Sequence, residues 1–492
     1  MPLSRENLPQ LSTPATPVCV GRSDSEPPIV VDLDRTLIRT DLLVESFLVL
    51  LASRPKAAFT VLIAIRNGKV ALKTKLVEAA ILDIAAHPLN QQVLAFLNAE
   101  TVKGRLVYLA SAFNRSYVAL VADHLGNHLL GSNASIQLAG PVEADRLCKA
   151  FGERGFDYIG DRSTDEAIWQ LSRCAYIANA LPADLATLRT SAPHAQALGM
   201  RASLWRDYVL ALRPHQWLKN ILVFAPVLAA HRSGHALLAS FLAFISFCFC
   251  ASSVYIMNDL LDLRNDRAHP RKQLRPFAAA RIPVMHGVAL CPLLLIGSLA
   301  VAAFLPMQFV LVLVTYFILT CAYSLDLKKR LVVDVVALAC LYGSRLAAGS
   351  AAAEVPLSHW LAVFAIFLFF SLALVKRMGE LTDHLERGTG DPTGRGYRLD
   401  DLSVLQSMAT ASGYVSVLVI ALYINGDVVG ALYRHPDLLW FNFVLLLFWI
   451  SRMILVTHRG QMHEDPLVFA ATDRTSQLIM LACVITTISA IV

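Results

Sequence analysis

The stretch Asn258–Pro276, NDLLDLRNDRAHPRKQLRP, sets three carboxylates ahead of a basic run. Asp259, Asp262 and Asp266 stand at i, i+3 and i+7, one face of a helix. Three carboxylates on one face repel one another unless a cation lies between them. Mg2+ is the hard ion that carboxylates hold together with substrate phosphates. Beside them come His269, Lys272 and Arg275. An acid face holding Mg2+ next to a basic loop is what a departing diphosphate requires. The motif follows LLASFLAFISFCFCASSVYIM, which is long enough to cross a bilayer, so this charge stands at the mouth of a membrane helix.

Two further constellations carry chemistry. YSLDLKKRLVVDVV places Tyr323, Lys328 and Asp334 in a later loop, and Arg345 lies within the apolar run ALACLYGSRLAAGS. An arginine at membrane depth is costly and marks function by default. Far upstream, VVDLDRTLIRTD ends an apolar run in Asp32-x-Asp34-x-Thr36. Two aspartates two apart point to the same side of an extended chain. One can attack phosphorus while the other protonates the leaving group and then activates water.

The elements that must position these groups divide the chain in two. Of the 492 residues 56% are hydrophobic, and the mean hydropathy is +0.54, which indicates a membrane class. Residues 1–25 read as disordered, with no charged-then-apolar leader, so no cleavable signal peptide is expected. From 26 to 185, IVVDLD, LVYLAS, FDYIGD and AYIANA are short β-rich runs separated by helical sequence, the pattern of an open α/β sheet. Residues 42–100 interrupt it as a helical cap. Part of the cap, LLVESFLVLLASRPKAAFTVLIAI, is very apolar but broken by Glu45, Arg54 and Lys56. Residues 186–204 read as a linker, and 205–492 as the membrane domain. Nine apolar segments are expected there, near 217–230, 236–257, 283–305, 309–325, 332–350, 357–375, 404–424, 438–456 and 477–492. With a cytoplasmic N-terminus, the loops placed inside hold 17 Lys and Arg and those outside hold 2. That asymmetry predicts a cytoplasmic N-terminus and an outside C-terminus. The nine cysteines are scattered, without metal spacing, and read as small buried hydrophobes.

NDLLDLRND, then YSLDLKK followed by VVDVV, and the nine-span count resemble the UbiA superfamily of intramembrane prenyltransferases over about residues 205–492. The resemblance implies an all-α membrane bundle of about nine transmembrane helices in a cytoplasmic (inner) membrane. It also implies a cytoplasm-facing active site, Mg2+ on aspartates from two helices, and a lipid substrate. LRPHQWLKN, DRAHPRKQLRP and VKRMGEL are similar to the decaprenyl-phosphate phosphoribosyltransferase branch, in which a lipid phosphate is the acceptor and phosphoribosyl diphosphate the donor. By that resemblance Asp259, Asp262 and Lys328 are catalytic. Arg213, Lys219, Asn220, Asn258, His269, Lys272, Arg275, Tyr323, Asp334, Arg345, Lys376 and Glu380 bind substrate, and Asp259, Asp262 and Asp266 hold metal. The alternative is a prenyl transfer from isoprenyl diphosphate to an aromatic acceptor, with a non-catalytic N-terminal half.

Over roughly 27–180 the chain resembles the haloacid dehalogenase superfamily of phosphatases, an α/β fold with a helical cap. The resemblance makes Asp32 the nucleophile, Asp34 the general acid/base and Thr36 a supporting residue. Ser111, ending LVYLAS, is the phosphate-binding residue, and Asp161 and Asp165 of YIGDRSTD hold Mg2+ with Asp32 and Asp34. The lysine that family expects is replaced by Glu143 in LAGPVEADRLCKAFGERGFDY, with Lys149 or Arg146 as candidate substitutes. The fused halves suggest phosphoribosyl transfer followed by removal of the 5-phosphate. Nucleic acid is not among the expected partners, and a homo-oligomer is left open.

Overall fold

A computed structural model of the chain describes residues 26–54, 57, 61, 87–111, 121, 135–137, 141–161, 165–180, 182–200, 205–392, 395–462 and 465–491. The residues 1–25, read as disordered, lie outside that set, as do most of 55–86 in the expected cap and the side chain of Glu143. The chain divides into two compact units. One comprises Met1–Asp207 with Leu261–Met285, and the other Tyr208–Leu260 with His286–Val492.

In the first unit six strands form one parallel sheet: β1 (Ile29–Asp32), β2 (Val107–Ser111), β3 (Ser135–Gln137), β4 (Asp157–Gly160), β5 (Ala175–Ala180) and β6 (Gln196–Met200). Their order is β3-β2-β1-β4-β5-β6. Ile29, Val30 and Val31 are all buried, which is why β1 reads as a continuous apolar run rather than an alternating one. Alternate residues still serve opposite faces. Ile29 and Val31 pack with Val93 and Leu97, while Val30 packs with Leu147, Ile168 and Trp169. In the register Asp32 pairs with Ala110 and Val31 with Ile159, so the carboxyl ends of β1, β2 and β4 share one edge. The expected linker is corrected here. Residues 186–204 contain β6, which pairs with β5 from Tyr176↔Gln196 to Ala180↔Met200. QALGM has no β-branched residue, so it gave no strand signal.

The second unit is helical. Eight helices are long and apolar enough to cross a membrane: His235–Leu261, Val284–Ala302, Met307–Leu325, Val333–Ala353, His359–Arg387, Leu399–Ile424, Pro436–His458 and Arg474–Ile491. The first of the nine expected segments is not a ninth such helix among the described residues. It is a 3-10 run, Pro214–Phe224, followed by the short helix Ala225–Ala229. Pro214 and Pro226 each remove a backbone donor, which suits helix starts and not helix interiors. At about 2.0 and 1.5 Å per residue, this broken run still rises roughly 30 Å. It packs closely on Val333–Ala353, where a Cβ on Gly349 would stand 1.9 Å from the Val223 carbonyl oxygen.

Candidate active site

A cavity of about 390 Å³ lies within the helical unit. Arg213, Lys219, Asn258, Tyr323, Arg345, Lys376 and Glu380 line it, so the structure gathers seven of the expected substrate-binding residues around one space. Arg213 reaches it from a left-handed backbone position, φ 54°. That turn is pinned by Ser252, whose hydroxyl donates to the Leu212 carbonyl at 2.8 Å and accepts from the Trp217 indole at 3.0 Å. The Arg213 guanidinium donates to Asp259 and lies over the Tyr255 ring at 5.4 Å. Asp259 is itself buried near the end of helix His235–Leu261.

Asp465, which the motifs did not point to, also lines the cavity. Its carboxylate accepts from Lys219 at 2.7 Å, Lys376 at 3.1 Å and the Tyr342 hydroxyl at 3.0 Å. It also caps helix Pro466–Thr472 through the Leu467 amide. Burial alone would raise its pKa, but Lys376 and Lys219 outweigh burial and hold the carboxyl well below the usual range. Arg345 is buried and largely committed to the bundle. It donates to Asn220 Oδ1 at 2.9 Å, to the Tyr316 hydroxyl at 3.3 Å and to the Leu341 carbonyl, and it faces the Tyr316 ring at 5.1 Å. Asn220 therefore acts on the cavity through Arg345.

Asp334 is fully buried and does not line the cavity. Tyr323 donates to it at 2.8 Å, Arg377 contacts it at 2.5 and 3.1 Å, and Arg395 lies at 3.5 Å. Arg377 also reaches Glu380 at 2.5 Å. The arrangement makes Asp334 an anchor for Tyr323 and for the two arginines. Arg377 and Arg395 were not among the expected residues, although VKRMGEL contains the first. Lys328 sits on the 3-10 turn Leu327–Lys329, half-buried and outside the cavity lining.

The rest of the aspartate motif belongs to the first unit. Asp262 precedes the short helix Leu263–Ala268. Asp266, on that helix, is buried and pairs with Arg275 at 2.5 Å. Burial raises the Asp266 carboxyl above its ordinary value despite Arg275. His269 turns its Nδ1 onto its own loop, accepting from the Arg271 amide at 3.2 Å and the Lys272 amide at 3.4 Å. Arg267 donates to both oxygens of Glu45, at 2.8 and 2.5 Å.

At the sheet edge Asp32, Asp161 and Asp165 each offer an oxygen, all within 4.8 Å of one another. Opposite ligands of an octahedral Mg2+ stand about 4.2 Å apart, so this donor set fits the ion. Asp34 is not part of that group. Its Oδ1 accepts from the Leu42 amide at 3.0 Å. Thr36 donates to Asp32 at 3.2 Å, Ser111 is buried at the end of β2, and Arg35 reaches Asp161 at 3.1 Å.

The profile of the UbiA prenyltransferase family matches residues 220–472. The chain belongs to this family. An uncharacterised protein of Sinorhizobium fredii, y4nM, is 32% identical over 462 residues, 93% of this chain and 89% of that protein. The decaprenyl-phosphate phosphoribosyltransferase of Mycolicibacterium smegmatis is 32% identical over 294 residues, 58% of this chain and 92% of the relative. Among solved structures, a UbiA homolog from Archaeoglobus fulgidus bound to DMAPP and Mg2+ aligns with a TM-score of 0.45 and 18% identity, over 57% of this chain and 98% of that one. UbiA membership and eight apolar helices make this a multi-pass membrane transferase.

Proposed function

We propose that the helical unit transfers 5-phosphoribosyl from phosphoribosyl diphosphate to a polyprenyl phosphate. The observation that carries this reading is the cavity lining. Arg213, Lys219 and Lys376 converge on a space walled by tyrosines and polar groups, which suits a compact polyanion better than a long apolar chain. The similarity to the mycobacterial enzyme supports the same donor and acceptor. An acceptor phosphate oxygen attacks ribose C1 while the C1–diphosphate bond breaks. The acceptor is already ionised, so no strong base is required, and the chain's part is to position both anions. Arg213, Lys219 and Lys376 hold the diphosphate as its charge grows. By the family resemblance Asp259, Asp262 and Asp266 would hold Mg2+, which would supply charge neutralisation at the leaving group, although these three are not gathered within 4.8 Å of one another as Asp32, Asp161 and Asp165 are.

In the same proposal the sheet unit is a phosphatase of the haloacid dehalogenase type that removes the 5-phosphate. Asp32 attacks phosphorus, and Asp34 serves as acid and base. Asp161 and Asp165 would hold Mg2+ with Asp32, and Arg35 supplies positive charge beside them. Both sites face the cytoplasm, as the 17-to-2 distribution of Lys and Arg implies. A reporter fused at the C-terminus is expected to read extracytoplasmic, with the broken run 214–229 crossing the bilayer. A cytoplasmic reading would mean that only the eight long helices cross, which would put Glu45 and Arg267 on opposite sides and so contradict their pairing.

The test is mass spectrometry of lipids made by membranes given polyprenyl phosphate and labelled phosphoribosyl diphosphate. Wild type is expected to yield polyprenyl-phosphoryl ribose, and Asp32→Asn its 5-phosphorylated precursor. Consumption of an isoprenyl diphosphate in place of the ribosyl donor would establish prenyl transfer to an aromatic acceptor instead. Phosphorylated lipid from both wild type and variant would remove the phosphatase role.

A further inference from the structure

We infer that Glu45 is a positioning residue for the aspartate loop, and that the fused N-terminal unit is therefore a working part of the transferase. This rests on the reading of Asp259, Asp262 and Asp266 as the Mg2+-holding face. Glu45 is a lone carboxylate in the apolar helix Leu42–Ser53, and it is only 2% exposed. A carboxylate so placed is tolerated only when paired. Its partner comes from 222 residues later in the sequence. Arg267 donates two parallel bonds to Glu45, the fork geometry that fixes direction as well as distance. The same guanidinium donates through Nε to the Ala278 carbonyl at 3.2 Å, so it clasps both limbs of the 261–285 loop. His87 adds a third contact to Glu45 at 3.1 Å.

Arg267 directly follows Asp266, and the chain runs from Asp259 into this loop without a break. Glu45 thus fixes the backbone that carries Asp262 and Asp266. The start of its helix is in turn fastened by Asp34, through the Leu42 amide. In the mycobacterial relative, 92% of the protein is matched by 294 residues, so most of the rest of this chain has no counterpart there. A transferase without the N-terminal unit must order its loop by other means. Here that task falls to Glu45.

The test compares full-length wild type, Glu45→Gln and the charge-swapped pair Glu45→Arg/Arg267→Glu in detergent and in membranes. Hydrogen exchange of peptides covering 261–285 is read together with the Mg2+ concentration giving half-maximal transfer. Glu45→Gln is expected to speed exchange in that loop and to raise the Mg2+ requirement about tenfold, with kcat at saturating Mg2+ much less affected. The swapped pair is expected to recover at least part of both effects. If Glu45→Gln does not accumulate, Arg267→Lys, which keeps charge but loses the fork, carries the same readouts. Unchanged exchange and unchanged Mg2+ dependence in these variants would overturn the proposal. Should the donor prove not to be phosphoribosyl diphosphate, the exchange measurement still decides the role of Glu45.

Discussion

In the helical unit each of two buried carboxylates is shared by two cations. Asp465 is shared by Lys219 and Lys376, and Asp334 lies among Arg377 and Arg395. At the sheet edge the balance is reversed. Three carboxylates converge within 4.8 Å, and Arg35 stands against one of them. On the function proposed above, the difference amounts to two ways of preparing for phosphate chemistry. A site that must receive a polyanion keeps several cations close together, and buried acids between them offset their mutual repulsion. A site built around an attacking carboxylate gathers negative charge and leaves a metal ion to offset it.

Removing an acid from each kind of site should separate these roles. The largest effect is expected from Asp334→Asn, which leaves buried Arg377 and half-buried Arg395 with only Glu380 as an anionic partner. A loss of about 3–5 kcal/mol is expected, read as a lower thermal midpoint in detergent. Retention of the wild-type midpoint would mean that Asp334 is not the anchor described above. Asp259→Asn should leave folding intact and cut transfer roughly 100- to 1,000-fold, the range for losing one electrostatic stabiliser. Labelled-donor consumption, normalised to protein in the membrane, checks it.

A pH series addresses Glu45. Burial would raise its pKa, but hydrogen bonds from Arg267 and His87 outweigh burial and hold it at about 2, against an ordinary 4.5. A depressed acid stabilises the fold above its unfolded pKa and loses that contribution as pH falls through the folded value. The stability gap between wild type and Glu45→Gln should therefore be full at pH 6, on the order of 3 kcal/mol, and shrink between pH 4.5 and 2. A gap that widens on acidification would contradict the assignment. The smallest effect is expected at Arg35. Arg35→Gln should slow hydrolysis of the 5-phosphate about tenfold while leaving transfer unaltered, as scored by the ratio of the two lipids.

Much of this was legible before any coordinates. β1, β2, β4 and β5 announced themselves because a sheet covered on both faces demands unbroken apolar runs. β6 did not, since edge position and backbone pairing hold QALGM in place. Seven cavity residues were legible chiefly through the resemblance carried by NDLLDLRND, LRPHQWLKN, YSLDLKK and VKRMGEL, and Arg345 also through its place at membrane depth. Asp465 was not. It lies in HEDPL, far from every motif, and its only local signature is an acid before proline at a helix start. The pairing of Glu45 with Arg267 was equally invisible, because nothing local in either segment names the other. Glu45 was read only as an interruption in a candidate span.

The first unit is completed by Leu261–Met285, and this has a consequence for synthesis. A ribosome adding about 5–20 residues per second reaches Arg267 roughly 10–45 s after Glu45, 222 positions later. By then helix His235–Leu261 has already been made, and insertion into the bilayer has to begin before the sheet unit can close. Until then Glu45 has His87 within reach but lacks the two bonds from its arginine. The final maturation of the sheet unit is thereby timed by membrane insertion.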